Sequence, residues 1–180
     1  MPDASAPAPG ADTETADETG TESETAAATD DETATRCQIA RTLDVVGEKW
    51  SLLIVRDAFR GRTRFREFQD SLGASTDILS ARLTKLVEAG VLEKRPYREP
   101  GSRERSSYHL TEAGQGLALV LGALVQWGDE FRPHPAGRSS IVVDARDHSP
   151  ATLAFLTRDG APVPARSVAF TPGPAARTTW

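Results

Sequence analysis

Residues 75–110 constrain this chain more than any other stretch, because a short amphipathic helix runs there directly into a basic hairpin. The spacing predicts a helix over residues 75–89. Ser75 is a good N-cap, since its hydroxyl can accept from a free amide of the first turn. Gly90 is the stop, because glycine enters the left-handed region without steric cost. Leu79, Leu83, Leu86 and Val87 recur at helical spacing and form one apolar stripe. The opposite face carries Thr76, Asp77, Ser80, Ala81, Thr84 and Lys85, with Arg82 at its edge. Short polar side chains let a helix backbone approach the floor of a DNA major groove and reach base edges and phosphates. Alone, the same pattern equally describes a solvated amphipathic helix.

The neighbouring segments decide between these readings. Upstream, Phe65, Phe68 and Leu72 place an apolar face on another helix, and Gly73-Ala74 makes the turn into residue 75, so the pair forms a helix-turn-helix. Downstream, residues 91–98 read as a strand and residues 106–110 as its return. The loop between them holds Pro100-Gly101 and, at its tip, Arg103 and Arg105. Arginines on such a tip can enter a minor groove, where the potential is most negative. A helix-turn-helix followed at once by a basic hairpin is a winged helix. The expected class is therefore mainly α with a small β component.

Charge is segregated along the 180 residues. Residues 1–35 hold ten acidic and no basic residues, and residues 36–180 hold 16 acidic and 21 basic. The overall −5 thus conceals a cationic remainder. The first 35 residues contain no aromatic or branched aliphatic side chain, so they are expected to form a disordered acidic tail. Such a tail is a solubilising leader or a competitor for the basic surface. A single cysteine excludes an intramolecular disulfide and suits a reducing compartment. With no apolar run of membrane-spanning length and no secretory leader pattern, the expectation is a cytoplasmic protein with no membrane partner.

Before the helix-turn-helix, Ile39, Leu43 and Val46 mark a short helix ending at Gly47. Residues 49–60 form a second, with Trp50, Leu53, Ile54 and Ala58 on one face and Gly61 as its stop. Trp50 reads as a core aromatic. A short extended piece follows around Thr63. After the hairpin, Thr111 is expected to cap one long helix reaching about Phe131. Leu117, Val120, Leu121, Leu124 and Phe131 line one side, and Leu119, Val125 and Trp127 broaden the stripe. An apolar face on two sides implies a second partner surface, most simply the same helix of another subunit. Residues 138–180 look like a small β appendage with strands over 141–144, 151–157 and 165–170 and a turn at Arg158-Asp159-Gly160. Three strands are marginal alone, so the appendage should pack on the winged helix or dimerise. His148 stands without partners, which excludes a zinc ribbon. His109, His134 and His148 are scattered, and no triad or phosphate loop occurs, so neither an enzyme nor a metal or cofactor is expected.

Several motifs agree in order and spacing. They are Cys37-x-x-x-Arg41-Thr42-Leu43-Asp44-Val45-Val46-Gly47-x-Lys49-Trp50, the pairs Arg56-Asp57 and Arg60-Gly61, and Phe65-x-Glu67-Phe68. Leu79-Ser80-Ala81-Arg82-Leu83-x-x-Leu86-x-x-x-Gly90 and Tyr108-x-Leu110-Thr111-x-x-Gly114 complete the set. Over roughly residues 36–131 the chain resembles the HxlR family of bacterial winged helix-turn-helix transcriptional regulators, relatives of the MarR type. The resemblance implies a homodimer that binds operator DNA through the 75–89 helix and the 98–106 wing, over a domain spanning 36–132. Asp77 stands where such helices often carry a basic residue, and it can accept from a cytosine amino group.

These readings assign DNA contact to Ser75, Thr76, Asp77, Ser80, Ala81, Arg82, Lys85, Arg103 and Arg105. They assign dimerisation to Ile39, Leu43, Leu117, Val120, Leu121, Leu124, Trp127 and Phe131. Some relatives that the chain resembles sense oxidants or aldehydes through a cysteine at the position of Cys37. Here cationic neighbours and a helix N-terminus favour its thiolate. The effector is not named by the sequence. The alternative function is a winged-helix protein-interaction module without specific DNA binding.

Overall fold

In the computed structural model of the protein, residues 37–101 and 103–174 are described. The expectation for residues 1–35 lies outside them. In chain order the elements are α1 (Gln38–Val46), α2 (Lys49–Phe59), α3 (Phe65–Leu72), α4 (Thr76–Glu88), β1 (Leu92–Tyr97), β2 (Arg105–Leu110), α5 (Glu112–Gly116) and α6 (Ala118–Phe131). Two short strands, β3 (Phe155–Leu156) and β4 (Pro162–Val163), and a 3₁₀ turn over Ala165–Ser167 complete the order. The arrangement is mainly helical with a small two-stranded sheet, as the sequence leads one to expect.

Leu79, Leu83 and Leu86 of α4 are fully buried among Ile54 and Val55 of α2, Phe68 of α3 and Leu92 at the root of the hairpin. Burial of each such side chain contributes about 1.5–3 kcal/mol. Trp50 is half-buried against this core. Of the expected face of α2, Trp50, Ile54 and Ala58 meet the core and Leu53 does not join it, while Ser51, Val55 and Asp57 are buried beside them.

β1 and β2 pair antiparallel from Leu92 opposite Leu110 to Tyr97 opposite Arg105. The extended piece after α2 adds a third, minimal strand. The Tyr108 amide donates to the Thr63 carbonyl at 2.7 Å, and Arg64 bridges Ser107. The wing is therefore stitched to the segment that leads into the helix-turn-helix.

The expected single helix over residues 111–131 is two. Thr111 caps α5, its Oγ1 accepting from the Gly114 amide at 3.1 Å while the hydroxyl donates to the Gly90 carbonyl at 2.6 Å. At Leu117 the ladder tightens to an i→i+3 bond with Gly114, and α6 starts on the next residue. Gly114 is buried against the backbone at the end of α4, where a Cβ would stand 2.2 Å from the Val91 carbonyl oxygen. Close packing there requires glycine, and glycine in turn weakens the helix.

The appendage packs on α6. Leu153 fills the space over Gly122, where a Cβ would come within 2.9 Å of it. The Gln126 side chain pairs with the Leu153 backbone through its amide nitrogen at 3.2 Å and its oxygen at 3.1 Å. Arg138 meets Asp129 at 3.0 Å, and Arg60 donates to Ser140 at 2.6 Å. The appendage is less β-rich than expected. Residues 141–144 contribute one bridge, Val143 to Pro150, and the second strand shrinks to Phe155–Leu156. Its partner lies at Pro162–Val163, just past the 158–160 turn, whereas residues 165–167 form a 3₁₀ turn. Proline limits the pairing: Pro162 opens the strand and Pro164 follows it, and neither has an amide to donate to a ladder.

Gly114→Ala should therefore destabilise the folded chain by about 1–3 kcal/mol, because the backbone at Val91 must move. Denaturant unfolding followed by circular dichroism measures it. Gly116→Ala, where nothing lies within 4 Å of the added carbon, serves as the near-neutral reference.

Candidate nucleic-acid interface

The exposed side of α4 follows from its buried one. With Leu79, Leu83 and Leu86 inward, Thr76, Asp77, Ser80, Ala81 and Thr84 are left in solvent, and Lys85 is half-buried beside them. Gly73 closes α3 at φ 63° and Ala74 is buried beneath the turn, so the chain reverses within three residues. The Ser75 hydroxyl accepts from the Ile78 amide at 3.4 Å. Gln69 of α3 donates to the Thr76 hydroxyl at 3.0 Å, which fixes the first turn of α4 against the preceding helix. Asp77 sits in that first turn, where a carboxylate is favoured by the helix dipole. Ile78 is also exposed and adds an apolar patch to this face that its sequence spacing did not single out.

Arg82 is placed differently from expectation. Its Nη2 is ion-paired with Glu48, the residue that starts α2, and its Nε is buried without a hydrogen-bond partner. Only 25% of the side chain is exposed. It ties α4 to α2. A second group of arginines is equally occupied: buried Asp57 holds Arg56 at 2.8 Å, Arg62 at 3.5 Å and Arg60 at 3.9 Å.

The wing supplies the complementary feature. Arg103 and Arg105 are exposed, and Arg105 lies opposite Tyr97 in the ladder. The Arg64 guanidinium stacks over the Tyr97 ring at 4.8 Å and reaches Glu99 at 2.6 Å, so it braces the wing from the α3 side. Between the first turn of α3 and the wing opens a cleft of about 530 Å³. It is lined by Phe65, Arg66, Tyr97, Arg103, Glu104, Arg105, Ser106 and Tyr108. Arg66 is 88% exposed and lies 3.9 Å from Asp70. Sequence reasoning passed over it, although its place one residue after the apolar Phe65, on the polar side of α3, is a usable signal. Desolvation raises the Tyr108 phenol above its ordinary value. Glu67 is held below its ordinary 4.5 because the Thr63 and Arg64 amides donate to it, at 2.8 and 2.9 Å, with Arg64 and Arg62 adding to the effect. A carboxylate thus pins the entry to α3.

The proposed dimer residues divide. Leu117 and Leu121 pack against the domain's own core. Ile39, Leu43, Val120, Leu124, Trp127 and Phe131 are exposed, with Trp127 and Phe131 stacked at 5.6 Å. Cys37 is exposed and stands at the N-cap of α1, one residue before the helical turn expected for it. Among the described residues no cluster of ligating side chains can hold a metal, and no helix is long and apolar enough to cross a membrane.

The family profile described as HxlR-like helix-turn-helix matches residues 45–135. The chain belongs to this HxlR-like family. An uncharacterized HTH-type transcriptional regulator of Mycobacterium tuberculosis, Rv3095, is 40% identical over 140 residues, covering 76% of this chain and 85% of the relative. A regulator from Synechocystis sp. is 34% identical over 62% of this chain and 82% of its own length. The solved structure of a transcription factor candidate, PA1607, superposes with a TM-score of 0.66 at 42% identity, over 76% of this chain and 94% of that one. A second, PA1374 from Pseudomonas aeruginosa, gives 0.56 at 39% identity over 79% and 96%. This member of the HxlR-like family is thus a transcriptional regulator with a helix-turn-helix domain, and the family is one of regulators, not of enzymes. DNA is the partner that such a family implies.

Proposed function

We propose that the protein binds operator DNA as a homodimer, with α4 in the major groove and the wing beside it. The observation that carries this reading is the pairing of a bare, polar α4 face with a wing whose Arg103 and Arg105 point into solvent. Thr76, Asp77, Ser80 and Ala81 read base edges. Ser75 caps the reading helix, and Lys85, Arg103 and Arg105 meet phosphates or a minor groove. Exposed Ile78 suits a thymine methyl. Arg82 acts indirectly by holding α4 against Glu48. Retention of DNA that weakens with salt separates this reading from a protein-interaction module, and footprinting on the promoter of its own gene locates the operator.

Arg103→Ala and Arg105→Ala should weaken binding to all sequences alike and reduce the salt slope by about one per lost phosphate contact. Asp77→Ala and Ser80→Ala should instead change sequence preference, by about 1–3 kcal/mol per base-edge contact. Equal losses on operator and random duplex for all four variants would refute this division of roles.

The dimer reading rests on the exposed apolar seam of α1 and α6, where Ile39, Leu43, Val120, Leu124, Trp127 and Phe131 lack cover. A two-fold axis there sets the α4 helices about one turn of DNA apart, roughly 34 Å, and makes the operator an imperfect inverted repeat. Leu124→Glu should yield a monomer without specific binding, as a carboxylate would be desolvated in the seam. A wild-type monomer at micromolar concentration in light scattering overturns the reading.

Cys37 lies at the start of that seam. Its oxidation to an intersubunit disulfide, a mixed disulfide or a sulfenic acid would alter the spacing of the two α4 helices. Mild peroxide should then change operator affinity in the wild type and leave Cys37→Ser unchanged. An identical response in both proteins makes Cys37 structural.

A further inference from the structure

The arginines and lysines of the winged helix are sorted by partner. Those around the core have carboxylate partners: Arg56, Arg60 and Arg62 share the single Asp57, and Arg82 is paired with Glu48. Arg64 and Arg95 are likewise held by Glu99 and Glu93. For the other basic residues of α4 and the hairpin the opposite holds. Among the described residues no carboxylate lies within salt-bridge distance of Lys85, Lys94, Arg98, Arg103 or Arg105. Arg66, across the cleft, meets Asp70 only at 3.9 Å with both side chains largely in solvent, a pair of little energetic weight. Three of these exposed arginines, Arg66, Arg103 and Arg105, line one cleft with aromatic walls at Phe65, Tyr97 and Tyr108, and with Glu104 as its single acidic lining residue.

The chain also contains the matching counter-charge. Residues 1–35 carry ten carboxylates and no cation, so none of these carboxylates can find an ion-pair partner within the segment. The segment joins the domain at Arg36-Cys37. At about 3.3–3.6 Å per extended residue, 35 residues can span over 100 Å, so the wing is within reach.

We propose that the cleft between α3 and the wing is a binding surface for an acidic peptide, and that its occupant is residues 1–35 of the chain itself, in competition with DNA. This rests on the DNA-binding reading above. The segment stands in for the phosphate backbone: its carboxylates meet the same arginines, and DNA must displace them. Because each carboxylate contact is screened singly, whereas duplex DNA adds counterion release at every phosphate, operator DNA still wins. Weak random-sequence binding is suppressed most.

The test uses the full-length chain and a full-length variant in which the ten acidic residues of 1–35 are changed to their amides. Both are titrated with a random-sequence duplex. The variant should bind about tenfold tighter at ~50 mM salt, and the two should converge by ~0.3 M, with the shallower salt slope in the wild type. Zero-length carbodiimide coupling of the wild type, mapped by mass spectrometry, should join carboxylates of residues 1–35 to Lys85 and Lys94 in preference to Lys49. Equal affinity of the two proteins at low salt overturns the inference and leaves the DNA reading standing. Tighter binding by the variant without coupling to Lys85 or Lys94 also overturns it, since general charge repulsion then suffices. Absence of DNA binding in both proteins removes the reading and the inference together.

Discussion

The burial of Leu79, Leu83 and Leu86 is the constraint on which the rest of the molecule depends. Those three side chains choose which side of α4 is inside, and by subtraction which side is available to anything else. They also draw α2, α3 and the hairpin root onto one small core, so the position of the wing relative to α4 is a consequence of the same packing. A slip of one residue in that helix would rotate the polar face by about 100° and separate it from the wing arginines.

Arginine does three different jobs in this domain. Around Asp57 it pairs with one oxygen, Oδ1, of a buried carboxylate that would otherwise be costly to desolvate, while Oδ2 has no hydrogen-bond partner. At positions 64 and 82 its planar head braces one element against another, over Tyr97 in one case and onto Glu48 in the other. At the wing tip, Arg103 and Arg105 meet no carboxylate among the described residues. A count of basic residues cannot distinguish these uses, because pairing is decided by residues distant in the chain.

The same distinction explains what was legible in the sequence. The bounds of α4 were readable because cap and stop are local: Ser75 and Gly90 act through their own neighbours. The order helix, turn, helix, hairpin was readable because each piece has its own period. The commitment of Arg82 was not, since Glu48 lies 34 positions earlier and no periodicity links them. The helix break at Leu117 was half-visible in Gly114 and Gly116, but its cause, the Val91 carbonyl, belongs to another element. In the appendage, β-branched and apolar runs suggested strands over 141–144 and 165–170, but the first contributes only one bridge, the second holds a 3₁₀ turn, and the pairing that forms starts at Pro162.

The contact between Gly114 and Val91 makes the hairpin and the C-terminal helices a single mechanical part. Thr111 adds two bonds to the same spot, its hydroxyl donating to the Gly90 carbonyl and its amide to the Val91 carbonyl. The hairpin rises from there over six paired residues, an arm of about 20 Å. A tilt of about 5° at the pivot moves the tip by nearly 2 Å, comparable to the difference between a hydrogen bond and none. With no side chain at the pivot to act as a cushion, a change in the seating of α6 is transmitted undamped to the arginines at the far end.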